Sequence, residues 1–219
     1  MRLLAIAGLT LALSAASAQA ATVSYTDEAA FLSAAGAGLS TDDFESSTFD
    51  GTTIDFSVGS ITCSGGNFCN SFFGNQFGGG LARSGVKAPY FGTPDTLTFV
   101  FDTPVNAFGI FIGGMGDVVT NTLSFTLSDG SVFTPFVDYT NNSGTFVNNT
   151  LFFGVLTDLL ILSVAITGSG FGDGVFFDDL YFRTAGANEI PIPAAGLLFG
   201  AGLAALAGAR RRRKAASAA

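Results

Sequence analysis

Apolar and polar residues alternate in several short runs along the middle of the chain. Leu123, Phe125 and Leu127 alternate with Ser124 and Thr126, the period-two pattern of a strand with one buried face. Ser128-Asp129-Gly130 follows as a tight turn, and Val132 to Val137 returns as the second arm of a hairpin. Leu160, Leu162, Val164 and Ile166 alternate with Ile161, Ser163, Ala165 and Thr167 in the same way. Further strands are predicted over 96–101, 105–112, 150–156 and 174–183, with Gly, Asn and Asp punctuating between them. One segment carries helix signals: Asp27 to Gly36, opened by Thr26 or Asp27 as N-cap and closed by Gly36. Many short strands without alternating helices predict an all-β domain over residues 22–186, an antiparallel two-sheet sandwich of jelly-roll type. No internal repeat with a period of 20–50 residues is visible.

Composition sharpens this picture. Of 219 residues, 48% are hydrophobic and 12% charged, with 24 Phe, 29 Gly, no Trp and no His. A disordered chain needs the reverse balance. Without His, a triad or zinc site built on imidazole is excluded. Most of the Phe side chains are expected on the inner faces of the two sheets. Residues 64–95 differ, running from Ser64-Gly65-Gly66-Asn67 through Phe72-Phe73-Gly74-Asn75 to Gly78-Gly79-Gly80. Gly and Asn give unusual backbone angles there, while the Phe residues argue for an ordered loop suited to lining a surface groove.

The two ends read as addresses. In residues 1–20, Arg2 precedes an apolar run from Leu3 to Leu13, and Ala18-Gln19-Ala20 offers small residues for cleavage. That is the layout of a secretory signal peptide. An 11-residue run is too short for a spanning helix, which needs about 20. At the other end, Ile190-Pro191-Ile192-Pro193-Ala194 leads into an apolar stretch, 194–209, followed by Arg210-Arg211-Arg212-Arg213-Lys214. As a single transmembrane helix, 194–209 would rise about 24 Å, slightly less than a hydrocarbon core. The basic cluster stays cytoplasmic, so the middle of the chain lies outside the inner membrane.

The combination of proline motif, short span and Arg run over 190–214 resembles the C-terminal sorting signal of exosortase substrates, the PEP-CTERM group. The Ile190-Pro191-Ile192-Pro193-Ala194 form is most similar to the VPLPA-CTERM variant, with Ile replacing Val and Leu. The resemblance implies export by signal peptidase and the secretion machinery, recognition by an exosortase, and delivery to the cell surface or biofilm matrix. The alternative is an ordinary single-span anchor.

All seventeen acidic residues lie between Asp27 and Glu189, where Arg83, Lys87 and Arg183 are the only basic ones, leaving −14 on the exported part. Such a chain repels anionic polymers and attracts cations. Nucleic acid is therefore no partner. Cys63 and Cys69 are the only cysteines. In an oxidising compartment their pairing would close a short loop, worth about 2.4 kcal/mol on chain-entropy arguments. The acids cluster at Asp42-Asp43-Phe44-Glu45 and at Asp178-Asp179. In a regular strand Asp178 shares a face with Leu180 and Phe182. A carboxylate on a core-side face needs a partner, which a structural Ca²⁺ could supply. The pairing resembles carbohydrate-binding-type jelly rolls, in which a Phe-Glu near the first strand and an Asp-Asp-hydrophobic motif in the last meet at calcium. That resemblance implies Glu45 and Asp178 as ligands, with Asp43 and Asp179 beside them. The alternative is solvated acids at strand ends.

Two non-catalytic functions stand level: a module that binds exopolysaccharide, and a purely structural or adhesive matrix protein. Sugar sites usually present Trp or Tyr, and Tyr is limited here to Tyr25, Tyr90, Tyr139 and Tyr181. A glycan hydrolase needs two carboxylates across a cleft, and a chain this acidic pairs carboxylates by accident. Gly170-Phe171-Gly172-Asp173-Gly174 lacks the strand-to-helix context of a nucleotide loop, and the sequons at Asn141 and Asn148 are assigned no role.

Overall fold

The computed structural model describes residues 21–51, 53–65, 82–141 and 150–186. Its elements are β1 (Thr22–Tyr25), α1 (Glu28–Ala35), β2 (Ser40–Asp42), β3 (Thr48–Phe49), β4 (Thr53–Phe56), β5 (Gly59–Ser64), β6 (Tyr90–Gly92), β7 (Thr96–Gly113), β8 (Asn121–Leu127), β9 (Val132–Tyr139), β10 (Leu151–Gly168) and β11 (Gly174–Thr184). The helix starts where Asp27 caps it, its Oδ1 accepting from the Ala30 N–H at 2.8 Å, and ends at Gly36, which adopts positive φ.

The expected strands 96–101 and 105–112 form one long strand, β7, and 150–156 joins 160–166 in β10. Register shifts near Leu156 and Ile161 let these two strands turn from one layer into the next. All pairings are antiparallel. In the first layer the order is β3-β4-β5-β7-β10-β8-β9. In the second, the far halves of β7 and β10 pair with β11 and β1, and β11 carries β2 and β6. The expected two sheets are thus one folded sheet whose long strands serve both layers.

The core lies between the layers. Phe99 meets Phe108 and Phe177 edge-on, with centroids 5.8 and 6.1 Å apart, and Phe125 stacks on Phe153 at 4.1 Å. Not every Phe faces inward. Phe31, Phe111, Phe152 and Phe176 form a second cluster with Tyr25 and Tyr181 on the outer side of the second layer. Gly109 and Gly154 are directly paired across β7 and β10. A Cβ on Gly154 would lie 2.6 Å from the Phe31 ring, and one on Gly109 2.9 Å from it. Two adjacent glycines thus make the notch into which Phe31 seats the helix.

Candidate functional site

The predicted acids meet on the second layer, in a different arrangement from the one expected. Phe177 and Leu180 both face the core, and two residues stand between them where alternation allows only an even step. The extra residue is Asp179, which takes φ +47° at a register shift in β11. This bulge corrects the sequence expectation: Asp178 does not share the face of Leu180 and Phe182. It points the other way and is fully buried beneath residues 83–84.

There its partners are backbone donors. Arg83 N–H and Ser84 N–H donate to Asp178 Oδ2 at 2.7 and 2.8 Å, and Asp179 N–H donates to Oδ1 at 2.8 Å. Burial still pushes the Asp178 carboxyl up to about 6, against the three donors that favour its charge. Asp179 accepts from the Arg83 guanidinium and from Ser84 Oγ, the latter at 2.7 Å. The Arg83 guanidinium also lies 3.6 Å from the Phe111 ring centroid. Glu45 grips the same segment: its Oε1 accepts from Val86 and Lys87 N–H, both at 2.7 Å. Lys87 Nζ returns to the carbonyls of Glu45 and Ser47 at 2.8 and 2.9 Å. Asp43 only accepts from Glu45 N–H at 3.1 Å and is exposed.

Glu45 and Asp178 therefore do tie the early and late parts of the chain, with residues 83–87 as the object held. A shared calcium does not fit these residues as they are placed. Glu45 Oε1 and Asp178 Oδ2 each already accept two N–H bonds, which fills their lone pairs. Arg83 supplies the positive charge at Asp179. Among the described residues no three Asp, Glu or Cys side chains gather as a metal-binding group.

Two further buried carboxylates went unnoticed in the sequence. Asp42 Oδ1 accepts from Phe44 N–H at 2.7 Å and its Oδ2 from Ser57 N–H at 2.8 Å, which fixes Phe44 at φ +58° in the core. Asp173 is fully buried and takes Gly116 N–H at 2.8 Å and Asn121 Nδ2 at 2.7 Å. It binds the 170–174 loop to the 114–121 loop. Burial first, then the adjacent Asp173, pushes the Asp117 carboxyl up to about 6. The Gly-Asp-Gly spacing around Asp173 was a turn signal that could have flagged it; the partners it collects are too distant in sequence to be read.

Cys63 lies in β5 opposite Leu97 and packs on the core. Cys69, residues 1–20 and the tail 190–214 lie outside the described residues. No helix among the described residues is long and apolar enough to cross a membrane.

No protein-family model matches the chain, and no curated protein matches it in sequence. Among solved structures, the chain is similar to the CBM22-1 xylan-binding domain of Paenibacillus barcinonensis Xyn10C, at 12% identity and TM-score 0.39, over 68% of this chain and 94% of that one. The C-terminal family 22 carbohydrate-binding module of Clostridium thermocellum Xyn10B matches at 10% identity and TM-score 0.34, over 67% and 94%. The catalytic unit of a GH87 alpha-1,3-glucanase from Streptomyces thermodiastaticus matches at 13% and 0.33, with the chain covering 26% of its length. Scores this low carry no functional argument, which must come from the chain's own residues.

Proposed function

We propose that the protein is an exported, exosortase-sorted β-sandwich that resides at the cell surface or in the biofilm matrix and retains exopolysaccharide without catalysis. One observation carries the reading. The compact unit spans Ala21 to Glu189, so it begins directly after the Ala20 cleavage signal and stops directly before Ile190 of the sorting motif. Nothing needed by the fold is lost when both ends are removed. The acids support a non-catalytic role: Asp42, Glu45, Asp173 and Asp178 are all spent on backbone N–H groups. The structural disulfide between Cys63 and Cys69 belongs to this proposal. A purely adhesive matrix protein is the second reading, favoured by the scarcity of exposed aromatic rings.

Co-sedimentation of the exported protein with exopolysaccharide from its host separates the readings. Retention without release of reducing sugar is the expected result. No retention would leave the adhesive reading, and sugar release would make the protein a hydrolase.

A further inference from the structure

The sandwich has two outer faces, and they differ in kind. That of the second layer is aromatic and covered by α1 and by residues 82–88. The first layer is different. Its strands align side chains in rows that cross the sheet: Ser64, Thr96, Thr167 and Ser124 in one, and Thr53, Thr62, Thr98, Ala165 and Thr126 in the next. The alternate positions, Ile61, Leu97, Phe99, Phe125, Val164 and Ile166, all lie in the core. A third row, Ser60, Val100 and Ser163, ends on Asp55 at the edge, the single charge in the three rows.

Solvated faces of soluble domains are ordinarily rich in Lys, Glu, Asp and Arg. Here the exported part carries −14 and keeps all but one of its charges off this face. The geometry points to the Ser/Thr face of the first layer as a docking surface for a neutral polysaccharide chain. This rests on the polysaccharide reading above and gives it a place and a ligand class.

The chemistry selects that occupant over others. Each hydroxyl both donates and accepts, as sugar hydroxyls do, and the Thr methyls offer apolar patches between them. Same-face side chains recur at about 4.8 Å across strands and about 6.8 Å along them, so a chain laid on the sheet meets hydroxyls throughout its length. An acidic polymer would be repelled by the rest of the domain. A protein partner ordinarily wants aromatic, Met or Arg anchors, and the rows contain none. Sheet twist of roughly 20° per strand curves the face, which suits a flexible chain more than a planar crystal. Some hydroxyls already engage each other: Thr96 Oγ1 and Thr167 Oγ1 stand 2.8 Å apart, which fixes their rotamers before a ligand arrives.

The test uses the full chain and host exopolysaccharide separated by anion exchange into neutral and acidic fractions, with binding read by affinity electrophoresis. Wild type should be retarded by the neutral fraction alone. T62E and T126E, which place charges at exposed positions in the middle row, should each weaken retardation tenfold or more. T62V/T126V, isosteric and uncharged, should weaken it several-fold and guards against a folding defect in the charged variants. L32E, on α1 over the other layer, should bind as wild type. If wild type binds neither fraction, the polysaccharide reading fails and this inference with it. If wild type binds the neutral fraction and the Thr variants bind equally well, the polysaccharide reading stands and the face is wrong. Binding to the acidic fraction alone would also overturn the face.

Discussion

The seat of α1 in its glycine notch can be tested by a double-mutant cycle. Phe31 is fully buried between the paired glycines and the rings of Tyr25, Phe152 and Tyr181, at centroid distances of 5.9, 5.4 and 6.3 Å. Phe31→Ala removes these contacts and leaves a void, a loss of about 3–5 kcal/mol. For a domain of this size that lowers the melting midpoint by about 6–20 °C. Gly154→Ala fails for the opposite reason. Its methyl would stand 2.6 Å from Phe31 and 2.9 Å from Phe152, an overpacking cost of about 1–3 kcal/mol. In the double variant the methyl enters space that the Phe31 ring has vacated. Its cost should fall, though not vanish, since Phe152 remains. The combined loss should therefore be smaller than the sum by about 1 kcal/mol or more. Urea unfolding followed by near-UV circular dichroism of Tyr and Phe measures all four corners. Strict additivity would mean that Phe31 and Gly154 do not share the contact described, and the account of how the second layer is covered would be wrong.

Calcium should leave the thermal midpoint unchanged against chelator, because backbone N–H groups and Arg83 already satisfy Glu45, Asp178 and Asp179; a rise of several degrees would restore the ion that the sequence suggested. Acid should help rather than harm over one window. Asp117 and Asp178 titrate near 6 when folded and near 4 when unfolded, so the folded state holds extra protons between those values. Their contribution to stability is then present below about pH 4 and is lost as pH rises through about 6. Melting at pH 5 and 7.5 should show the lower midpoint at pH 7.5, and Asp117→Asn should reduce the difference; an unchanged slope in that variant would contradict the assignment.

What the sequence made legible followed from local pattern. Leu123, Phe125 and Leu127 announced β8, and Asp27 and Gly36 announced both ends of α1. The short strands β2, β3 and β6 were not legible, because three residues or fewer carry no period and owe their pairing to β11 or β4. Asp178 is the instructive case. Its residue type and approximate place were readable, yet its face was not, because a single bulge at Asp179 reversed it. That bulge depends on αL backbone at a non-glycine residue, for which the sequence holds no sign. The Ser/Thr rows were half legible. The alternation in 96–101 and 123–127 shows each strand's polar face, but only the register across β5, β7, β10 and β8 reveals that these faces form one uncharged surface.

The central claim is that both ends are removed and the domain between them leaves the inner membrane. The direct measurement is the intact mass and location of the mature protein, compared with a variant carrying R210S, R211S, R212S and R213S together. The account predicts a surface or matrix species that starts at about Ala21 and has lost the apolar span and Arg run, while the variant stays unprocessed or misplaced. A mature protein that retains residues 194–214 in the inner membrane, or a variant processed and located like wild type, would contradict it.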